Sequence, residues 1–381
     1  MNQTKVILEH TLFLILSIGL LILSFVLFPN VFTKMFFGDP NPGFGDTPYY
    51  VGIAKDGYTN NPEWAYYPLY PISVKVFSSI SSLPLERSAI VVSIILFMIS
   101  IPLTLSLFKS YLPSFQTYVF LFLYLTNPMI IFHYLGYTES LFSLLLVGLI
   151  VFISNETIRI EIRLILILIV SILLALTRPI LIQIIFASLL SFIVLLILDR
   201  SRGLNYLFPT LFIVVGSVIG YTFFGLYALG ATGDFLKPFS VQSLWDKKLG
   251  IYLNNFWARG TTFDILALYI GLILSFYLVL IVVRYLVGKS RSKDVMFEYV
   301  FWFSFGLLIS HVLIVFLTQD GDLRSLGRYV FSIPTTFLMF GMLFKDVSSH
   351  YFRIVSVVLV VLSFLSFLYW FYMYSETLWI G

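Results

Sequence analysis

Stretches of about twenty apolar residues, each bounded by charge or by Pro and Gly, recur along the whole chain, and a soluble core has no use for so many. They fall at about 7-28, 88-108, 115-135, 138-153, 162-177, 180-198, 206-229, 264-287, 297-318, 329-344 and 354-375. The composition agrees: of 381 residues 59% are hydrophobic and only 11% charged. The pattern predicts an all-α polytopic membrane protein of about 11 transmembrane helices, with residues 1-381 as one membrane domain. The first run, Ile7 to Phe28, exceeds a signal-peptide core and leads into Pro29-Asn30-Val31 rather than a small-x-small cleavage site, so it is expected to stay as the first span.

Cysteine is absent, which excludes disulfides, thiolate nucleophiles and Cys-ligated metals. The formal charge of +4 suits basic loops on a membrane protein, and no basic-aromatic array suggests nucleic acid. Alternating the helix ends puts Lys109, Arg159, Arg163, Arg200, Arg202, Arg284, Lys289, Arg291, Lys293, Lys345 and Arg353 in short loops on one side. The positive-inside rule assigns that side, and the N-terminus, to the cytoplasm. The opposite face receives two long loops, about 29-87 and 230-263, expected to form a cap. That face also collects Asp39, Asp46, Asp56, Glu63, Glu139, Arg178, Asp234, Trp245, Arg259, Asp320, Asp322, Arg324 and Arg328. No internal repeat is visible.

The stretch GDTPYYVGIAKDGYTNNPEWAYYPLYP, Gly45 to Pro71, concentrates acids and aromatics in a chain that has few acids. Thr47-Pro48 is a helix-start signal, with Thr as cap and Pro at the first helical position, and Gly57 with Thr59-Asn60-Asn61 stops the short amphipathic helix that follows. Trp64 to Pro71 has the aromatic composition of a membrane interface, so this loop is expected to lie on the bilayer surface. Taken singly, Asp46 reads as part of a helix cap, Glu139 as a solvated helix end and Arg178 as a snorkelling cation. Taken together, acids and cations around an aromatic loop suit transfer from a lipid-phosphate donor better than packing.

These residues resemble a family: the glycosyltransferases of fold type C, and among them the PIG-V-like group, the second mannosyltransferase of GPI-anchor synthesis and its prokaryotic relatives. The resemblance runs over most of the chain. It is carried by Asp46, Tyr50, Ile53, Ala54, Gly57 and Tyr58 with Ala65-Tyr66-Tyr67-Pro68-Leu69-Tyr70-Pro71, then by Asn127-Pro128 and Tyr137-Thr138-Glu139-Ser140-Leu141-Phe142. Thr177-Arg178-Pro179, Gly233-Asp234-Phe235 with Phe239, Gln242 and Trp245, and Gly327-Arg328-Tyr329 with Pro334 complete it. Two positions depart from the pattern: relatives usually carry Trp-Asp where this chain has Gly45-Asp46, and Phe-Phe-Pro where it has Tyr66-Tyr67-Pro68.

The resemblance implies the type C glycosyltransferase architecture and a polyprenyl-phosphate sugar donor, dolichyl-phosphate mannose in eukaryotic relatives. The acceptor would be a hydroxyl of a glycan, glycolipid or protein on the extracytoplasmic face. It implies a single inverting displacement with Asp46 as general base, Arg328 and Arg178 on the donor phosphate, and Tyr50, Tyr67, Tyr137, Glu139, Gln242, Trp245 and Tyr329 on substrate. No cofactor or metal is expected. Such a protein sits in the cell membrane of a prokaryote or the endoplasmic reticulum membrane of a eukaryote. A lipid or lipid-linked-sugar transporter is the main alternative; Pro/Gly-broken helices in related halves and midplane charges, its usual signs, are not evident in the sequence.

Other signals read more plainly. Asp320-Gly321-Asp322 spells a D-x-D but lies on the wrong face for nucleotide-sugar chemistry. Asp39 is a rival base explained by its Gly-Asp-Pro turn. His133, at an outer helix end, reads as a packing histidine, and His311 with Ser304 and Ser310 reads as contact between helices. Since the chain has no cysteine, a single cysteine at position 234 is a clean topology probe: labelling by an impermeant maleimide from the outside is expected, and labelling only from the cytoplasm would reverse the assigned orientation.

Overall fold

The computed structural model describes residues 3–37, 45–245, 247–288 and 294–376. In chain order its helices are α1 (Gln3–Leu27), α2 (Pro29–Phe37), α3 (Thr47–Asp56), α4 (Leu69–Ser81), α5 (Leu85–Tyr111), α6 (Ser114–Thr126), α7 (Glu139–Ser154), α8 (Ile160–Ala175) and α9 (Leu181–Leu198). They continue with α10 (Arg200–Asn205), α11 (Leu207–Thr232), α12 (Lys237–Ser240), α13 (Thr262–Leu286), α14 (Tyr299–Thr318), α15 (Leu326–Phe331), α16 (Pro334–Leu343) and α17 (His350–Ser375). Short 3-10 turns lie between them, and no strand occurs among the described residues. The protein is an all-α membrane protein.

Among the described residues seven helices are long and apolar enough to cross a membrane: α1 from Val6, α5, α9, α11, α13, α14 and α17. Their outer faces carry large exposed apolar side chains such as Ile273, Phe276, Val357 and Leu365, the surface expected where lipid tails replace water. The other expected spans are shorter or interrupted. The run 115-135 leaves helix after Thr126, because Pro128 pushes Asn127 to extended backbone (φ −72°, ψ 151°). Asn127 then accepts from the Met129 amide at 2.9 Å and donates to Tyr124 O at 2.6 Å, and residues 128–133 wind as a 3-10 helix. The run 329-344 breaks into α15 and α16 because Pro334 forces Ile333 extended (φ −104°, ψ 134°).

A break in a membrane helix frees backbone carbonyls that must find partners inside the protein. The two breaks meet. His133, at the end of the 3-10 turn, lies 2.8 Å through Nε2 from Ser332 O, and Thr336 Oγ1 donates to Val330 O at 2.7 Å. His133 is therefore a packing histidine with a defined task. The serines paired with His311 act differently from expectation: Ser304 and Ser310 donate to carbonyls of their own helix, and His311 stacks on Tyr329 at 5.5 Å.

The first long loop also departs from its reading. Asp46, not Thr47, is the N-cap of α3. Trp64, Tyr67 and Tyr70 are buried in the protein rather than presented to a bilayer surface; Trp64 stacks on Tyr58 at 4.5 Å and Tyr67 packs on Phe224 of α11 at 4.9 Å. Aromatic composition alone does not distinguish a ring facing headgroups from one facing another helix. The second loop lies along the end of α14, where Lys248, Gly250 and Tyr252 donate backbone bonds to Thr318, Leu317 and Phe316.

Helices α8 and α11 approach closely through Gly216 and Gly220, spaced as in a small-xxx-small stripe. A Cβ at Gly220 would sit 2.5 Å from Ile172 O, and one at Gly216 would sit 2.7 Å from Leu168 O. Gly220→Leu is expected to force the pair apart and cost about 1–3 kcal/mol, read as a lowered Tm in detergent; an unchanged Tm would refute this packing.

Candidate functional site

Asp46 stands before α3 in helical backbone (φ −89°, ψ −19°), and its side chain makes no capping hydrogen bond. The carboxylate turns instead toward α15, where Oδ2 pairs with Arg328 Nη2 at 2.8 Å. Its other oxygen, Oδ1, accepts from the Tyr66 hydroxyl at 3.2 Å. Burial first, and then the Asp46 charge, raise the ionisation of Tyr66 far above the ordinary tyrosine range, so this hydroxyl remains a donor. The Asp46 amide donates to the Tyr137 hydroxyl at 3.1 Å, and Thr47 Oγ1 donates to Leu135 O at 2.8 Å. The start of α3 is thereby clasped to the turn between His133 and α7.

That turn supplies the second carboxylate. Glu139, the first residue of α7, is fully buried, contrary to a solvated helix end. Its Oε1 takes Arg328 Nε at 2.5 Å and Arg178 Nη1 at 3.1 Å, while Oε2 has no hydrogen-bond partner among the described residues. Arg328 thus bridges two carboxylates, one buried and one, Asp46, with a quarter of its side chain exposed. Aromatic faces complete the cage: Arg328 lies over Tyr137 at 4.5 Å and Phe132 at 4.7 Å, and Arg178 lies over Tyr329 at 4.9 Å and Phe142 at 5.7 Å. Such contacts stabilise desolvated guanidiniums and fix their planes.

Of the residues named from the sequence, Asp46, Arg328, Arg178, Glu139, Tyr137 and Tyr329 converge here. Tyr50 joins them through its hydroxyl, 3.4 Å from Thr138 Oγ1. Trp245 reaches the group at second hand, edge-on to Tyr66 at 6.2 Å. Tyr67 does not belong: it is fully buried in the cluster with Trp64, Tyr221 and Phe224, and its neighbour Tyr66 faces Asp46 instead. Gln242 is likewise apart, its Oε1 accepting from Lys247 at 3.3 Å. Asp39 lies outside the described residues.

The D-x-D acids are engaged locally, Asp320 with Asn254 and Asp322 with Arg324, and no acid or histidine cluster among the described residues is arranged for a metal. One contributor was missed, although Thr261-x-x-Asp264 before an apolar run spells the capping box that starts α13. Asp264, at the start of α13, accepts the Gly327 amide at 2.7 Å and the Thr261 amide at 2.8 Å, which holds the residue next to Arg328 in place.

No family model, curated protein or solved structure matches the chain. The site is therefore read from its own chemistry: two carboxylates and two guanidiniums, neutral as a set, with one acid partly exposed and one buried carboxylate oxygen without a partner among the described residues. Glu139→Gln strips the shared partner from two buried arginines and is expected to cost about 3–5 kcal/mol. Asp46→Asn leaves Arg328 its buried partner and is expected to cost about 1 kcal/mol. Thermal unfolding of the two variants checks the order; equal losses would mean that Glu139 does not anchor the cluster.

Proposed function

We propose that the chain is an integral-membrane glycosyltransferase of the PIG-V-like kind, carrying a sugar, mannose by resemblance, from a polyprenyl phosphate to an acceptor hydroxyl on the extracytoplasmic side. The observation that carries this reading is Asp46, a helix N-cap whose carboxylate does not cap but faces an arginine at a partly open site. A carboxylate held this way is placed to take a proton rather than to start a helix.

In this reaction the acceptor oxygen attacks the anomeric carbon as its proton passes to Asp46. The bond from that carbon to the phosphate oxygen breaks, and polyprenyl phosphate leaves with the electron pair. Before transfer the two carboxylates balance the two arginines. Once Asp46 is protonated, Arg178 and Arg328 outweigh Glu139 by one positive charge, at the moment when the leaving phosphate gains negative charge. Proton uptake and phosphate stabilisation are thus coupled through Arg328, which no longer faces a charged Asp46. Tyr66 continues to donate to the acid, and the buried Glu139 carboxylate keeps both arginines in place. Neither step asks for a metal or a cofactor.

Two observations favour a second reading, a transporter for lipid-linked sugars: the interrupted segments at Asn127 and Ile333, and a buried acid among helix ends. Interrupted helices around a buried charge are common in transporters. The readings separate on transfer. With labelled polyprenyl-phosphate mannose and a membrane extract as acceptor pool, the native protein is expected to form a new labelled product. Asp46→Asn is expected to lower the rate about 10²- to 10⁴-fold while still binding donor. Equal turnover by the variant removes the base assignment, and saturable donor binding without any product favours transport.

A further inference from the structure

Helix α7, 16 residues long, starts in the Asp46 site and ends about 24 Å away beside a cavity. This cavity, about 240 Å³, lies among the ends of α7, α8, α10 and α14. Its chemistry is mixed in charge: Glu156, Arg163, Arg202 and Glu298 line it over Tyr206 and Phe297. No salt bridge joins these four charges to one another, although Lys345 and Arg202 both lend positive potential to Glu298. Arg202 pairs with Asp199 of its own turn at 3.4 Å and lies over the Phe297 ring at 5.1 Å. Arg163 makes one long bond, Nη1 to Asn155 O at 3.5 Å, and its buried Nε has no hydrogen-bond partner among the described residues. Glu298, the N-cap of α14, makes no capping bond, and no ion pair joins either glutamate to a described cation.

A buried, unpartnered guanidinium N–H beside an unpaired carboxylate calls for a ligand that is anionic at one end and cationic at the other. The position narrows the class. The cavity opens at the ends of membrane helices, where headgroups lie, and Ile160, Leu204 and Leu207, within three residues in sequence of its lining, are exposed and offer a surface for acyl chains. The start of α8 brings its helix N-terminus to the same end, favourable for phosphate, and the C-terminus of α7 is favourable for a cation.

We propose that this cavity holds the headgroup of a phospholipid with a primary ammonium, phosphatidylethanolamine in class. The phosphate lies on Arg163 and Arg202, and the ammonium donates to Glu156 and Glu298. A quaternary ammonium has no N–H to donate, and a headgroup without a cation leaves both glutamates facing phosphate. The site is therefore selective for the ethanolamine headgroup over choline or glycerol. It is independent of the transferase reading and stands whether or not the chain transfers sugar.

The test is native mass spectrometry of the full-length protein in detergent, incubated with an equimolar mixture of phosphatidylethanolamine, phosphatidylcholine and phosphatidylglycerol bearing the same acyl chains. Predominant ethanolamine adducts are expected. Arg163→Gln and the exposed Glu156→Gln should each reduce them about tenfold, as loss of one charge-assisted hydrogen bond predicts, with Tm unchanged for at least Glu156→Gln. Millimolar O-phosphoethanolamine should leave the adduct in place, because the acyl chains also bind. Equal retention of the three lipids, or adducts unaffected by both substitutions, overturns the proposal; displacement by the soluble zwitterion overturns the lipid as the source.

Discussion

The Glu139 carboxylate, held without solvent between Arg178 and Arg328, is the contact on which the rest of the site depends. A lone charge here would be costly, and two lone guanidiniums more so. Together they tie three elements distant in sequence: the start of α7, the turn before α9 and the short helix α15. Arg328 then extends the link to Asp46 and the first loop. The same arginine therefore holds the loop onto the bundle and sets the charge balance of the site.

The interrupted helices serve this arrangement. A continuous helix through Ile333 would carry residues 326–331 along the axis of α16, whereas the break lets α15 turn so that Arg328 meets Glu139. The freed Ser332 carbonyl is taken up by His133, which itself ends the other break. Two helix defects thus satisfy one another, and they do so immediately beneath the charged cluster. Asp264 adds a third restraint by gripping the Gly327 amide from α13.

Much of this was legible in the sequence, and the failures are instructive. Apolar runs located every long helix because lipid imposes length and composition directly. The same continuity hid the breaks at Asn127 and Ile333, although Pro128 and Pro334 stood as signals, since apolar composition is indifferent to helix geometry. The convergence of Asp46, Glu139, Arg178 and Arg328 was suggested by their shared end of the chain's crossings. Tyr66 and Tyr67 could not be told apart, because the irregular backbone there has no period to decide which ring faces the acid. Asp264 was legible only as the acid of the capping box that starts α13; its bond to Gly327 spans 63 positions and leaves no local pattern.

Gly45 carries a consequence for how the chain can vary. Its backbone is left-handed at φ +83°, and a Cβ there would lie 1.6 Å from the Tyr137 hydroxyl oxygen. That oxygen is the one that receives the Asp46 amide. Positions 45 and 137 are therefore coupled as substitution partners, with the large side chain on one of them and none on the other. A tryptophan at 45 fits only if the tyrosine yields its place or the loop approaches by another route, so the acid would then be positioned by different contacts.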